Sequence, residues 1–405
     1  MLKGKTIILG VSGSIAAYKI ANLASMLVKQ HADVHVIMTK NATNFINPIT
    51  FETLTNNKCI VDTFDRDFEF NVEHVSLASK ADCMMIAPAT ANVIAKLRCG
   101  IADDMLTTTA LAMEKAMLIA PTMNTHMYEK KVTQDNIATL KDYGYEVIEP
   151  AEGYLACGDV GKGKMPNPEV LIEYIYKAVL RDKDMIGKKV LVTAGPTREA
   201  FDPVRFVSNH STGKMGYALA REAAARGADV VLISGPVNIA GIPYVHTVDV
   251  ISAKEMYKAC VKYFSDADIV IKSAAVADYR PKDILEEKIK KSDSDTKVEF
   301  EKTDDILAYL GKTKRDNQFI CGFSMETENM IENSRSKLKN KNIDMIVANN
   351  LKTKGAGFGT ETNVVTLITE SSQKELDIMS KADVAHEIIN EILKTPFQPS
   401  HRICD

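Results

Sequence analysis

The chain has 405 residues, 45% of them hydrophobic and 25% charged, too many for one ordinary core and suited to two or three domains with sizeable interiors. A formal net charge of -3 offers no global positive field for nucleic acid, and no apolar run reaches membrane-spanning length. Lys3 and Lys5 precede only a short apolar run that soon meets Ser12, Gly13 and Ser14, which is no secretory layout, and seven scattered cysteines fit a reducing cytoplasm better than a disulfide scaffold or a four-cysteine zinc site.

In chain order, Thr6–Leu9 reads as a strand, Gly10–Ser14 as a turn, and Ile20, Leu23, Ala24 and Leu27 mark one face of a helix. Val34–Met38, Cys83–Ala87 and Met117–Ala120 read as further buried strands, the last two ending in the Pro-containing loops 88–92 and 121–124. Repeated strand, loop and helix predicts an α/β domain, mostly parallel, with its site beyond the carboxyl ends of the strands. A second start follows the charged stretch 181–184, so the boundary is expected near 184–188, giving domains 1–184 and 185–405. There, Val190–Ala194 is strand-like, 213–227 helical and Val230–Ile233 a strand; later strands are expected at 269–271, 319–321, 345–348 and 364–368. The polar run 288–295 reads as a loop that interrupts this second α/β unit.

Gly10 and Gly13 let backbone approach a ligand, the following helix start offers N–H groups to phosphate, and Ser12, Ser14 and Thr39 add hydroxyls. The full G-x-G-x-x-G pattern is absent, and an ordinary strand–helix turn accounts equally for these residues. His74 can exchange a proton near neutral pH, while Asn92 and Asn124 can donate amide hydrogen bonds from the two Pro/Asn loops. Asp103-Asp104 has the simpler reading of a helix cap.

The segments G-S-I-A-A-Y-K (13–19), A-P-A-T-A-N (87–92), G-I-A-D-D-M-L-T-T (100–108) and P-T-M-N-T-H-M (121–127) resemble the flavin-dependent cysteine decarboxylase family. The segment L-A-C-G-D-V-G-K-G-K-M (155–165) points to its coenzyme A branch. That resemblance implies a flavodoxin-like or Rossmann-like domain that binds FMN through Gly13, Ser14, Thr39, Ala89 and Thr90. It implies conversion of 4′-phosphopantothenoylcysteine to 4′-phosphopantetheine: thiol oxidation to a thioaldehyde lets CO2 leave, and reduction of the enethiol follows. His74 falls on the catalytic histidine, Asn124 on the substrate-recognition asparagine and Cys157 on the lid cysteine that supplies a proton. Thr122 replaces the family's commoner alanine. Gly153, Gly158, Gly161 and Gly163 suit a mobile lid, and Lys162 or Lys164 could meet a substrate phosphate or simply be solvated.

In the second half, residues 193–217 carry T-A-G-P-T-R-E, D-P-V-R-F and S-N-H-S-T-G-K-M-G, a loop of amides, hydroxyls and bases ahead of a helix. It is not a P-loop, because Ser208 stands where the first glycine would be and Met215 follows Lys214. A-A-V-A-D-Y (274–279) and K-I-K-K (288–291) add a second cluster, the latter equally readable as a solvated loop. With Phe323 and G-F-G-T-E-T-N (357–363), these segments resemble phosphopantothenate–cysteine ligase, with Ser324-Met325 replacing the usual two alanines. The resemblance implies a Rossmann-like domain in which CTP, with Mg2+, activates phosphopantothenate as an acyl-cytidylate that cysteine then attacks. Asn209 and Lys288 fall on its catalytic positions, and Asp278, Lys288 and Phe323 on nucleotide-contact positions; no metal-ligand set is assigned.

Together the segments resemble the bifunctional decarboxylase–ligase family of bacterial coenzyme A synthesis over residues 4–394. Cofactor sites between subunits, and trimeric decarboxylase units joined through dimerised ligase domains into a homododecamer, are implied by the same resemblance. Two alternatives remain at this point: a flavin prenyltransferase-like enzyme and a noncatalytic FMN-binding regulatory subunit.

Overall fold

The computed structural model describes residues 2–63, 73–156, 158–288, 297–326, 330–350, 357 and 359–394. The chain forms two compact units, Met1–Asp182 and Lys183–Asp405.

The N-terminal unit is built on six parallel strands, in the order Cys59–Ile60, Asp33–Met38, Thr6–Val11, Cys83–Ala89, Ala116–Pro121 and Glu146–Val147. Every residue of Thr6–Val11 and Cys83–Ala89 is buried. Strands covered on both faces read as unbroken apolar runs, which is why these segments are visible in the sequence. Ile8, Ile37, Met84, Ile86 and Ile119 form one side of the core, closed by the helices Ala91–Cys99 and Met105–Ala112. The order reverses between Thr6–Val11 and Cys83–Ala89, so of the two arrangements expected the observed one is the Rossmann order. Asp104 caps the helix Met105–Ala112 through Thr107 N–H (2.8 Å), and Lys96 pairs with Asp103 and Asp104, which gives both acids a structural task. An antiparallel hairpin, Ala151–Tyr154 with Val160–Lys164, follows the sheet.

The C-terminal unit has eight strands in the order His246–Asp249, Asp229–Ser234, Lys189–Ala194, Ile269–Lys272, Phe319–Glu326, Met345–Asn350, Val365–Thr369 and Gln373–Glu375. The first six are parallel and the last two antiparallel. Two apolar layers flank it: Val192, Leu219, Ile271, Val347 and Ile388 on one face, Leu191, Cys260, Val270, Leu310 and Ile346 on the other. The helix expected over 213–227 runs Lys214–Ala225, with Gly213 as its N-cap at φ +80. A Cβ on Gly216 would lie 2.5 Å from Ala194 Cβ, so the helix packs directly on the strand and its start is held at the sheet's carboxyl edge. Residues 289–296, most of the polar run expected as a loop, lie outside the described residues. No helix among the described residues is long and apolar enough to cross a membrane.

Candidate functional sites

At the reversal in the N-terminal sheet, the buried Ser12 ties the two central strands together. Its Oγ donates to Pro88 O (2.6 Å) and accepts from Thr90 N–H (3.0 Å). Three of the residues expected at a cofactor are helix caps beside this seam. Ser14 accepts from Ala16 N–H (3.3 Å), Thr39 from Ala42 N–H (3.3 Å) and Thr90 from Val93 N–H (3.5 Å). A Cβ on Gly13 would come within 2.8 Å of Asn41 Cβ, so the loops after the first two strands touch only because residue 13 is glycine. Ala89 is fully buried at the end of its strand. The five residues thus share the carboxyl edge where an α/β sheet binds its ligand.

Beside that edge lies a cavity of about 360 Å³ lined by Ser14, Lys19, Met123, Asn124, Tyr154 and Lys164, among others. Asn124 caps the short helix Thr125–Glu129, its Oδ1 accepting from His126 N–H (2.9 Å) while Nδ2 donates to Asp159 Oδ2 at 2.5 Å. The hairpin is pinned by Met123 N–H, which donates to Gly163 O (3.1 Å). Gly163 has φ +140, and a Cβ there would sit 2.2 Å from Met123 O. Thr125 Oγ1 is buried beneath Gly161 with no hydrogen-bond partner among the described residues. Burial, then the nearby Lys164 charge, holds the Lys19 ammonium below its ordinary pKa, and Lys19 donates to Asn167 Oδ1 (3.3 Å). His74, half-buried in the helix Glu73–Lys80, does not line this cavity, and Cys157 lies outside the described residues.

In the C-terminal unit, Asn209 Nδ2 donates to Ala275 O (2.6 Å) and its Oδ1 accepts from Ser211 N–H (3.0 Å). Ala277 N–H donates to Thr197 Oγ1 (3.0 Å) and Ala275 N–H to Gly195 O (3.0 Å). These bonds bind the T-A-G-P-T and A-A-V-A-D loops into one edge. Above the start of the helix Lys214–Ala225 is a cavity of about 160 Å³ that includes Lys214, Gly216, Ala275, Phe323, Asn349 and Lys381. Lys214 Nζ reaches Glu361 Oε1 (2.5 Å) and Gly359 O (2.9 Å), and Lys381 Nζ reaches Gly357 O (3.1 Å) and Thr360 O. Burial and the neighbouring Lys214 charge hold Lys381 below its ordinary pKa, against a smaller opposing pull from Glu361. Asn363 Nδ2 completes the wall by donating to Asn349 Oδ1 (2.9 Å). A second cavity, about 420 Å³, shares Phe323 and includes Lys272, Asp278, Lys302, Asp305 and Lys341. Lys288 is exposed and lines neither cavity. Among the described residues there is no cluster of three His, Cys, Asp or Glu able to hold a metal.

Residues 1–180 match the Flavoprotein family model, and residues 185–395 match that of the DNA/pantothenate metabolism flavoprotein C-terminal domain. A coenzyme A biosynthesis bifunctional protein of Bacillus subtilis is 47% identical, covering 99% of this chain and all of its own length. This chain belongs to that family. The Haemophilus influenzae protein of the same description is 41% identical over 97% of this chain and 98% of its own. A prokaryotic relative described as a cysteine/cysteine sulfinic acid decarboxylase is 44% identical over 86% of this chain and 99% of its own.

Asp159, Lys272, Lys381 and Asn363 carry no individual signal in the sequence. Asp159 and Asn363 stand inside family-like segments, whereas Lys272 ends an apolar run and Lys381 opens a helix with no local signal of a partner.

Proposed function

We propose that this chain makes 4′-phosphopantetheine from 4′-phosphopantothenate and cysteine in two steps, with residues 185–405 as ligase and 1–184 as decarboxylase. The end-to-end relationship with the Bacillus subtilis protein carries this reading, because one relative matches this chain across both units.

In the ligase step the phosphopantothenate carboxylate attacks the α-phosphorus of CTP and pyrophosphate leaves. The cysteine amine then attacks the acyl carbon, forming the amide and releasing CMP. The N-terminus of the helix Lys214–Ala225, with Lys214 beside it, suits the phosphates. Asn209, held against Ala275, can donate to the oxygen that gains charge during attack. Lys288 assists formation of the acyl-cytidylate, with Asp278 and Phe323 against the nucleoside. Mg2+ enters with the nucleotide's phosphates, which supply the oxygen ligands it prefers.

For the decarboxylase step the N-terminal edge fits FMN: two helix starts capped by Ser14 and Thr90 can receive a phosphate, with Thr39 beside them. When bound, FMN supplies the two-electron chemistry that makes loss of CO2 feasible. Asn124 donates to the substrate carboxylate, His74 exchanges a proton with the substrate, and Cys157 would protonate the enethiol intermediate as it is reduced. The protein works in the cytoplasm as a homo-oligomer, reaching a dodecamer if both units assemble as the resemblance implies.

Purified protein given phosphopantothenate, cysteine, CTP and Mg2+ should yield CMP and phosphopantetheine by mass spectrometry. Phosphopantothenoylcysteine alone would remove the decarboxylase half. Neither product from folded, flavin-loaded protein would overturn the reading. Cysteamine formed from cysteine alone would instead favour the activity in the free cysteine decarboxylase's description.

A further inference from the structure

Lys272 ends the strand Ile269–Lys272 on the same face as Val270, and its side chain lines the 420 Å³ cavity. Its ammonium makes no hydrogen bond or ion pair among the described residues. Two acids act on it through space: Asp305 is engaged by Lys341 (2.9 Å) and by Ala308 N–H (3.0 Å), and Asp278 is exposed on the same cavity. Burial holds the Lys272 pKa down, and the Lys341 charge adds to the effect. Lys272 is half-buried at the cavity wall, and a partly desolvated ammonium with no hydrogen-bonded counterpart marks a place where a ligand can bring the missing acceptor.

The position of that acceptor follows from the two cavities. If the phosphates lie at the start of the helix Lys214–Ala225, the nucleoside passes Phe323, the residue the cavities share, and enters the larger one. Asp278 is exposed at its rim and suits the ribose hydroxyls. Lys272, at the end of a sheet strand, is less exposed than Asp278.

We propose that Lys272 reads the base of the nucleotide, donating to N3 and O2 of cytosine. This rests on the nucleotide reading of the C-terminal unit and names a specificity residue within it. The chemistry selects cytosine over uracil: an ammonium only donates, cytosine N3 accepts, and uracil N3 carries a hydrogen that faces it. A donor left against that N–H is unpaired, which is how a polar site rejects a near-isostere.

The test is calorimetric titration of the full chain and its Lys272→Met and Lys272→Gln variants with CTP, CMP and UTP, after thermal melts establish that each variant is folded. Lys272→Met should weaken CTP and CMP by the same factor, about tenfold or more, and erase most of the preference for CTP over UTP. Lys272→Gln, which keeps a neutral donor, should fall between. A loss seen with CTP but not with CMP would place Lys272 at the phosphates and overturn the base contact. Unchanged affinities with an unchanged CTP/UTP ratio would also overturn it. Failure of the unaltered protein to bind CTP would instead strike the nucleotide reading, and this inference with it.

Discussion

Asn124 Nδ2 and Asp159 Oδ2 stand 2.5 Å apart, so a carboxylate of the hairpin is bonded to the amide proposed to receive the carboxylate of the substrate. With Oδ1 fixed by His126 N–H, this contact sets which way the amide group points. Asp159→Ala should raise KM for phosphopantothenoylcysteine about tenfold, the scale of one charge-assisted hydrogen bond, and leave flavin retention unchanged. Steady-state decarboxylation beside the flavin absorbance of the purified variant measures both. An unchanged KM would show that the amide needs no such support.

Gly163 meets two demands at once, a φ of +140 and the 2.2 Å approach of any Cβ to Met123 O. Gly163→Ala should therefore lift the hairpin from residues 123–125 while the sheet persists. The expected result is loss of most decarboxylation, with faster hydrogen exchange at the Met123 amide, whose N–H now donates to Gly163 O. Retained protection at that amide would mean the hairpin tolerates the methyl group.

Arg226 is 3% exposed and is held by Glu222 (2.9 Å), His386 (2.7 Å), Asp184 (3.3 Å) and Asn390. Arg226→Met removes the guanidinium from the buried Glu222, leaving it His386 Nδ1 (2.9 Å), and should cost the C-terminal unit about 3 kcal/mol in urea unfolding. Adding Glu222→Met should recover much of the loss, since removing both charges is cheaper than leaving one. A double variant no more stable than the single would refute that account.

Asp33 carries the clearest acid signature of the N-terminal unit. Burial pushes its carboxyl up, but hydrogen bonds from Lys80 and Asn57 and the adjacent His35 outweigh this and hold it at about 2. Its folded pKa lies below the unfolded value of about 4, so its contribution is complete above pH 4 and lost as pH falls towards 2. The side chain is 38% exposed, so screening reduces that contribution to about 1 kcal/mol. Asp33→Asn should lower stability by that amount at pH 7 and flatten the decline between pH 4 and 2. Urea unfolding across that range measures it, and parallel acid limbs in variant and parent would contradict it.

What the sequence disclosed followed from burial. Thr6–Leu9, Cys83–Ala87 and Val190–Ala194 could be read as strands because both their faces are covered, and the cap at Asp104 has a local pattern. The hairpin Ala151–Lys164 was hidden, since Glu152-Gly153-Tyr154 and Gly161-Lys162-Gly163 have no apolar alternation. It is held by contacts to residues 123–125 that are remote in sequence. The partners of Lys381 were equally invisible, because nothing in a helix's first residue announces carbonyls at 357 and 360. Family-like segments indicated Asn209 and Phe323; the joining of Asn209 to Ala275 and the two cavities that meet at Phe323 required the fold.

The bond from Lys214 to Glu361 closes a span of 147 residues, and that from Asn209 to Ala275 a span of 66. Neither can form from a local nucleus, because the intervening parallel strands must first be laid side by side. During refolding, ligase turnover should therefore lag behind the recovery of helical signal and arrive together with the last tertiary contacts. A fragment ending before residue 361 would keep most of the sheet's strands and still lack the lock on its own entrance.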